Sequence, residues 1–176
     1  MRYVCVLLGM LALAGCAEVK VRPERVAAVA AKPEGLRPNS ALKGAVIVGD
    51  VACNPSESFW GVAAFDNNVL RMALATSIEN AGLKGEGRSP YKLNARLLKV
   101  DQPVFGLNAE VTVAMEYDLV ETETGVSIYN RTVSTTHETS FNDEADGAAR
   151  LRLANEMAAR KNIEAVVADL QAYEKK

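Results

Sequence analysis

With 176 residues, 49% of them apolar and 24% charged, a formal net charge of -2 and a mean hydropathy of zero, the chain has the profile of one ordinary globular domain. That composition excludes a polytopic membrane protein and a disordered acidic or basic tail. The averages blend unlike segments, because residues 1–15 hold one charge, Arg2, and are otherwise almost wholly apolar.

Met1-Arg2 supplies a short positive start, and Tyr3 to Ala14 is an uninterrupted apolar run. A stable bilayer span needs about 20 apolar residues, so this shorter run fits the hydrophobic region of a signal peptide. It ends in Leu13-Ala14-Gly15-Cys16, with small residues where a peptidase must approach the backbone closely. The segment resembles the lipobox of bacterial lipoproteins. That resemblance implies cleavage between Gly15 and Cys16, a diacylglyceryl group on the Cys16 thiol and an acyl chain such as palmitate on the new amino group. One acyl chain holds a protein to a membrane marginally and two or more hold it durably. In Gram-negative lipoproteins an aspartate after the lipidated cysteine marks inner-membrane retention. Ala17 stands there, which implies the outer membrane, with the domain on the periplasmic face.

Residues 16–43 are expected to form a flexible basic linker, since they hold Pro23, Pro33 and Pro38 and no aromatic residue. Lys20, Arg22, Arg25, Lys32, Arg37 and Lys43 outweigh Glu18, Glu24 and Glu34, whereas residues 44–176 carry a net -6. As a coil the linker would span ~30 Å. It is open whether its charges rest on anionic headgroups or it serves only as a solvated spacer. The division is therefore 1–15 signal peptide, 16–43 tether and 44–176 folded domain.

From Gly44 the patterns become regular. Ala45 to Val51 is a short β-branched run, read as a strand buried on both faces. Residues 54–65 form a loop, after which Asp66 caps a helix whose stripe is Leu70, Ala73, Leu74, Ser77, Ile78 and Ala81, ended by Gly82. Tyr91, Leu93, Ala95 and Leu97 alternate with polar residues, as in a strand with one wet face. A second strand follows a turn at Gln102-Pro103, with Val111, Val113, Met115, Tyr117 and Leu119 on one side. Thr122 to Gly125 reads as a hairpin turn, and Val126 to about Thr136 as a third strand. Lys92 and Arg96 share the wet face with Glu110 and Glu116, which supports antiparallel charge pairing. The last segment, from about Asp143, is a long helix with Leu151, Ala154, Ala158, Val166, Leu170 and Tyr173 on its stripe, an expected Glu156–Arg160 pair and a possible bend at Lys161-Asn162. Strand, helix, three-strand meander, helix predicts an α+β two-layer sandwich with both helices on one sheet face.

Reactive constellations are sparse. His137 is the only histidine and sits among hydroxyl residues at a strand end, without the G-x-S-x-G elbow or glycine-rich oxyanion loop of a hydrolase. No catalytic residue, metal-ligand spacing or cofactor motif is expected, and a domain charge of -6 disfavours nucleic acid. Of three cysteines, Cys5 leaves with the signal and Cys16 takes the lipid. Cys53 remains, either as a buried inert thiol or as an exposed one that pairs between chains. Phe59-Trp60 and Val104-Phe105-Gly106-Leu107 place apolar side chains on loops, where they either cap the sandwich or meet a partner.

The element order behind the lipobox, with Ala158-Ala159-Arg160-Lys161-Asn162-Ile163 and a later Leu170 in the last helix, resembles small Gram-negative envelope lipoproteins, the lipopolysaccharide-assembly lipoprotein type in particular. The resemblance implies a non-enzymatic assembly or transport accessory that binds an envelope protein or lipid. The competing expectations are an envelope hydrolase or acyl transferase built around His137, and a small-ligand-binding lipoprotein.

Overall fold

The computed structural model describes residues 20–28, 31–53, 65–102 and 106–174. In chain order its elements are α1 (Pro23–Val26), a single 3-10 turn (Pro33–Gly35), β1 (Val46–Cys53), α2 (Asn67–Asn80), β2 (Tyr91–Asp101), β3 (Ala109–Glu121), β4 (Ser127–Thr139) and α3 (Gly147–Ala172). The sheet order is β1-β2-β3-β4, with β1 parallel to β2 and the remaining pairs antiparallel. The predicted α+β sandwich is present, with α2 and α3 packed on one face of the sheet and the other face open.

Two strand irregularities keep the apolar residues on the core side. β1 is an edge strand and not one buried on both faces: Val46 and Val51 are buried, whereas Asp50 and Ala52 are exposed. Its ladder to β2 shifts register between Val48 and Val51, so the extra residue at Gly49-Asp50 restores the inward phase. Asn94 Oδ1 accepts from the Asp50 amide at 2.9 Å, and a Cβ on Gly49 would lie 2.2 Å from the same oxygen, so a side chain at 49 would have to displace Asn94 from that bond. In β2 a similar shift at Leu97/Lys99 turns Leu98 outward and brings Val100 against the core.

Asp66 caps α2 by accepting from the Val69 amide at 2.8 Å, and Gly82 follows the helix at φ 73°. The stripe Leu70, Ala73, Leu74, Ser77, Ile78 and Ala81 is fully buried. α3 starts later than Asp143, because that carboxylate accepts from the amide and hydroxyl of Ser140 in a turn, while Asp146 makes the cap by accepting from Ala149 at 2.7 Å. The helix then runs unbroken through Lys161-Asn162 for about seven turns.

Asn162 is buried and joins the two layers. Its Nδ2 donates to the Val113 and Val133 carbonyls at 3.0 and 2.9 Å, and its Oδ1 accepts from the Tyr117 hydroxyl at 2.9 Å. A long apolar helix lies on β3 and β4 with little directional preference, and these bonds set its axial position. Burial also pushes the Tyr117 phenol well above its ordinary range, so it remains a donor.

Replacing Asn162 with Leu strands the Tyr117 hydroxyl in the core and is expected to destabilise the domain by about 2 kcal/mol or more in urea unfolding. The double variant Asn162→Leu/Tyr117→Phe removes both polar partners and recovers much of that loss. A single variant with wild-type stability would show that the cluster does not hold the layers together.

Candidate functional site

The stretch expected to be a flexible linker is, where described, part of the folded domain. Val21, Val26, Ala27, Ala28, Leu36 and Leu42 are buried in the common core, so residues 20–28 and 31–45 form a strap over the helices. The Ser77 hydroxyl accepts from the Ala28 amide at 2.8 Å, and Gln171 Nε2 donates to the Lys32 carbonyl at 2.7 Å. Proline density suggested a spacer, yet each proline here opens or follows a tight turn that lets short apolar residues dip into the groove between α2 and α3.

The strap is anchored by Glu156, whose side chain is 1% exposed. It does not pair with Arg160 as the helical spacing predicts. Its Oε1 accepts from the Arg22 amide at 3.1 Å and lies 3.5 Å from Arg22 Nε, while Oε2 lies 3.5 Å from Arg25 Nε. Arg160 instead donates from Nε to the Arg25 carbonyl at 2.8 Å. Sequence reasoning missed this site because Glu156 falls beside the apolar stripe of α3 and its partners lie more than 130 residues away. The available signal was a carboxylate flanked by buried Asn155 and Ala158 on a face that otherwise turns inward.

A second candidate surface is the end of the sandwich where β3 begins and β4 stops. The ladder closes at Ala109–Thr139, so Leu107 and Phe141, two residues beyond it on either strand, emerge at the same end. Leu107 is 74% exposed and Phe141 49%. The Arg150 guanidinium stands 5.7 Å from the Phe141 ring and is held there by the Glu144 and Ala145 carbonyls at 2.7 and 3.1 Å. Leu107 is thus a solvent-facing apolar side chain. Phe59, Trp60, Val104, Phe105 and the lipidation candidate Cys16 lie outside the described residues.

The open face of the sheet carries a shallow polar depression of about 310 Å³ lined by Asp50, Asn94, Arg96, Glu116, Asp118 and Asn130. Arg96 and Glu116 are directly opposed in the β2–β3 register and hydrogen-bonded, as the charge pattern predicts. Those bonds, with one from Asn130, hold the Glu116 carboxyl below its ordinary range. Glu110 is opposed to Glu138 across β3–β4 and has no cation facing it in that register. No group of three or more metal-binding side chains occurs among the described residues, and no described helix is long and apolar enough to cross a membrane.

Neither reactive side chain is activated. Cys53 is half-buried at the end of β1, and burial, with a smaller push from Asp66, raises its thiol to about 11. It therefore stays protonated and is a poor nucleophile. β4 runs past its predicted end and takes His137 into the ladder opposite Val111. Partial burial, reinforced by Lys161 and opposed by Asp143, lowers its pKa, so the imidazole is neutral at pH 7.

No protein-family model and no curated protein matches the chain. Its fold is shared with solved structures. A protein of the DUF330 family from Xanthomonas campestris aligns with a TM-score of 0.57 and 17% identity over 78% of this chain and 92% of that one. PelC from Paraburkholderia phytofirmans, a dodecamer, aligns at 0.52 and 16% over 79% and 95%. A putative lipoprotein from Caulobacter crescentus aligns at 0.51 and 13% over 80% and 92%. None of the three bears the name of a lipopolysaccharide-assembly lipoprotein.

Two measurements check the side-chain chemistry. Alkylation of Cys53 by iodoacetamide at pH 7.5 is expected to be at least about tenfold slower than that of free cysteine. A rate equal to free cysteine would contradict the protected thiol. The lowered pKa of His137 means that the unfolded chain binds its proton first as pH falls. Stability contributed by the neutral imidazole is full above about pH 6.5 and declines below it. The urea midpoint should therefore drop between pH 7 and 5, and His137→Gln should make that drop smaller.

Proposed function

We propose that this chain is a lipid-anchored protein of the bacterial envelope whose folded domain is a non-enzymatic binding or assembly module. The observation that carries the reading is Leu13-Ala14-Gly15-Cys16 behind a charged start and a twelve-residue apolar run. The Caulobacter protein of the same fold, named a putative lipoprotein, supports it. Ala17 favours the outer membrane, with the domain on the periplasmic side. PelC shows that a domain of this fold can serve as the unit of a larger assembly. The exposed Leu107 and Phe141 give this domain an apolar end suited to such contacts, in the manner of an assembly or transport accessory.

Expressed in a Gram-negative host, the wild-type chain should incorporate labelled palmitate, lose residues 1–15 and sediment with outer membranes, and Cys16→Ser should neither take the label nor be processed. Palmitate on the Cys16→Ser variant, or a mature mass without lipid, refutes the anchor. Leu107→Asp should reduce crosslinking to co-purifying envelope components about tenfold or more with an unchanged melting temperature, since polar groups in a desolvated apolar contact cost 1–3 kcal/mol or more. Unchanged crosslinking would remove that end of the domain from the contact.

A further inference from the structure

The docked strap changes how far the domain can stand from its anchor. Lys20, next to the buried Val21, stands four residues after Cys16. Fully extended, four residues reach about 14 Å, less than half the span of a free linker. The surface around Lys20 is therefore confined near the headgroups, within about one or two Debye lengths at physiological salt.

That surface is cationic. Glu156 and Arg160, one turn apart on α3, contact Arg22 and Arg25 of the strap, and Arg152 stands one turn before Glu156 on the same helix. Lys20, Arg22, Arg25, Arg152, Arg160 and Lys161 stand against Glu24, Glu156 and Glu164, a local excess of positive charge. Arg22 and Arg25 share the one buried carboxylate and remain about half exposed, at 49% and 47%. Arg160 spends its Nε bond on a neutral carbonyl, so its charge is not cancelled there. The opposite layer has the reverse sign: Asp50, Asp101, Glu110, Glu116, Asp118 and Glu138 outnumber Lys92, Arg96 and Lys99 on the open sheet face.

We infer that the domain lies with its strap-and-α3 face against anionic phospholipid headgroups and its acidic sheet face turned away from them. The inference rests on the reading of Cys16 as the lipidated residue. The lipid limits the distance, and the opposed charges of the two faces choose which one the membrane attracts. The anchor and the strap thus act together to present the open sheet and its polar depression to whatever approaches from the aqueous side.

The test uses full-length, lipid-bearing protein in vesicles, with a fluorophore on either Met157→Cys, on the outward side of α3, or Thr132→Cys, on the open sheet face, each in a Cys53→Ser background. Quenching by a headgroup-attached quencher should be severalfold stronger at position 157 than at 132 in phosphatidylglycerol-containing vesicles. The difference should vanish in phosphatidylcholine alone, in high salt and in Lys20→Glu. Equal quenching at both positions in anionic vesicles, or stronger quenching at 132, overturns the orientation. A concentration-dependent shielding of 157 that ignores lipid charge assigns the face to a second copy of the chain instead. The intact mass of the same sample separates the two levels of inference: a diacylated mass with no preference defeats the orientation alone, and an unlipidated mass defeats the anchor on which it rests.

Discussion

A carboxylate enclosed in the middle of a helix must be neutralised or the helix cannot bury that face, and Glu156 meets this constraint with Arg22 and Arg25. The desolvation cost of such a group is several kcal/mol, so removing its partners is far more damaging than never having had it. Docking of the strap is the consequence. Once Arg22 and Arg25 are held at Glu156, Val21, Val26, Ala27 and Ala28 fall onto α2 and α3 and cover apolar surface that two helices alone would leave open.

The same interaction sets the mechanical length of the connection to the proposed anchor. A chain that unwound from residue 43 to Cys16 would let the domain sample all orientations. Docking from Val21 to Ala28 shortens that connection, and the arginines that satisfy Glu156 lie on the strap side of α3, the side that the proposed orientation turns to the headgroups. In the proposed orientation the charges that hold the strap would also meet the headgroups, since the buried carboxylate takes only part of the positive charge around it.

Asn162 performs a parallel task on the other side of α3. Its bonds to Tyr117 and to the β3 and β4 carbonyls fix the helix against the sheet, just as Glu156 fixes the strap against the helix. Among the buried polar side chains of α3, Glu156 and Asn162 thus serve opposite neighbours. Neither is an error in its amphipathic pattern. Periodicity treats both as interruptions, which is why the residues 161–162 read as a bend and Glu156 as a surface pair.

Local chemistry was enough for much of this protein. Alternation with period two identified β2 and β3, β-branched and aromatic content after a hairpin turn identified most of β4, Asp66 and Gly82 bounded α2, and the apolar start ending at Cys16 carries the proposed envelope address without reference to any fold. Those signals arise from neighbours within a few residues, so they survive in the linear chain. The bulges at Gly49-Asp50 and Leu98, the edge position of β1, the inclusion of His137 in β4 and the docking of the strap depend on pairings across tens to more than a hundred residues. Proline and basic charge describe a solvated linker until a buried carboxylate far along the chain gives those charges somewhere to go, and only the tertiary structure brings Glu156 to Arg22 and Arg25.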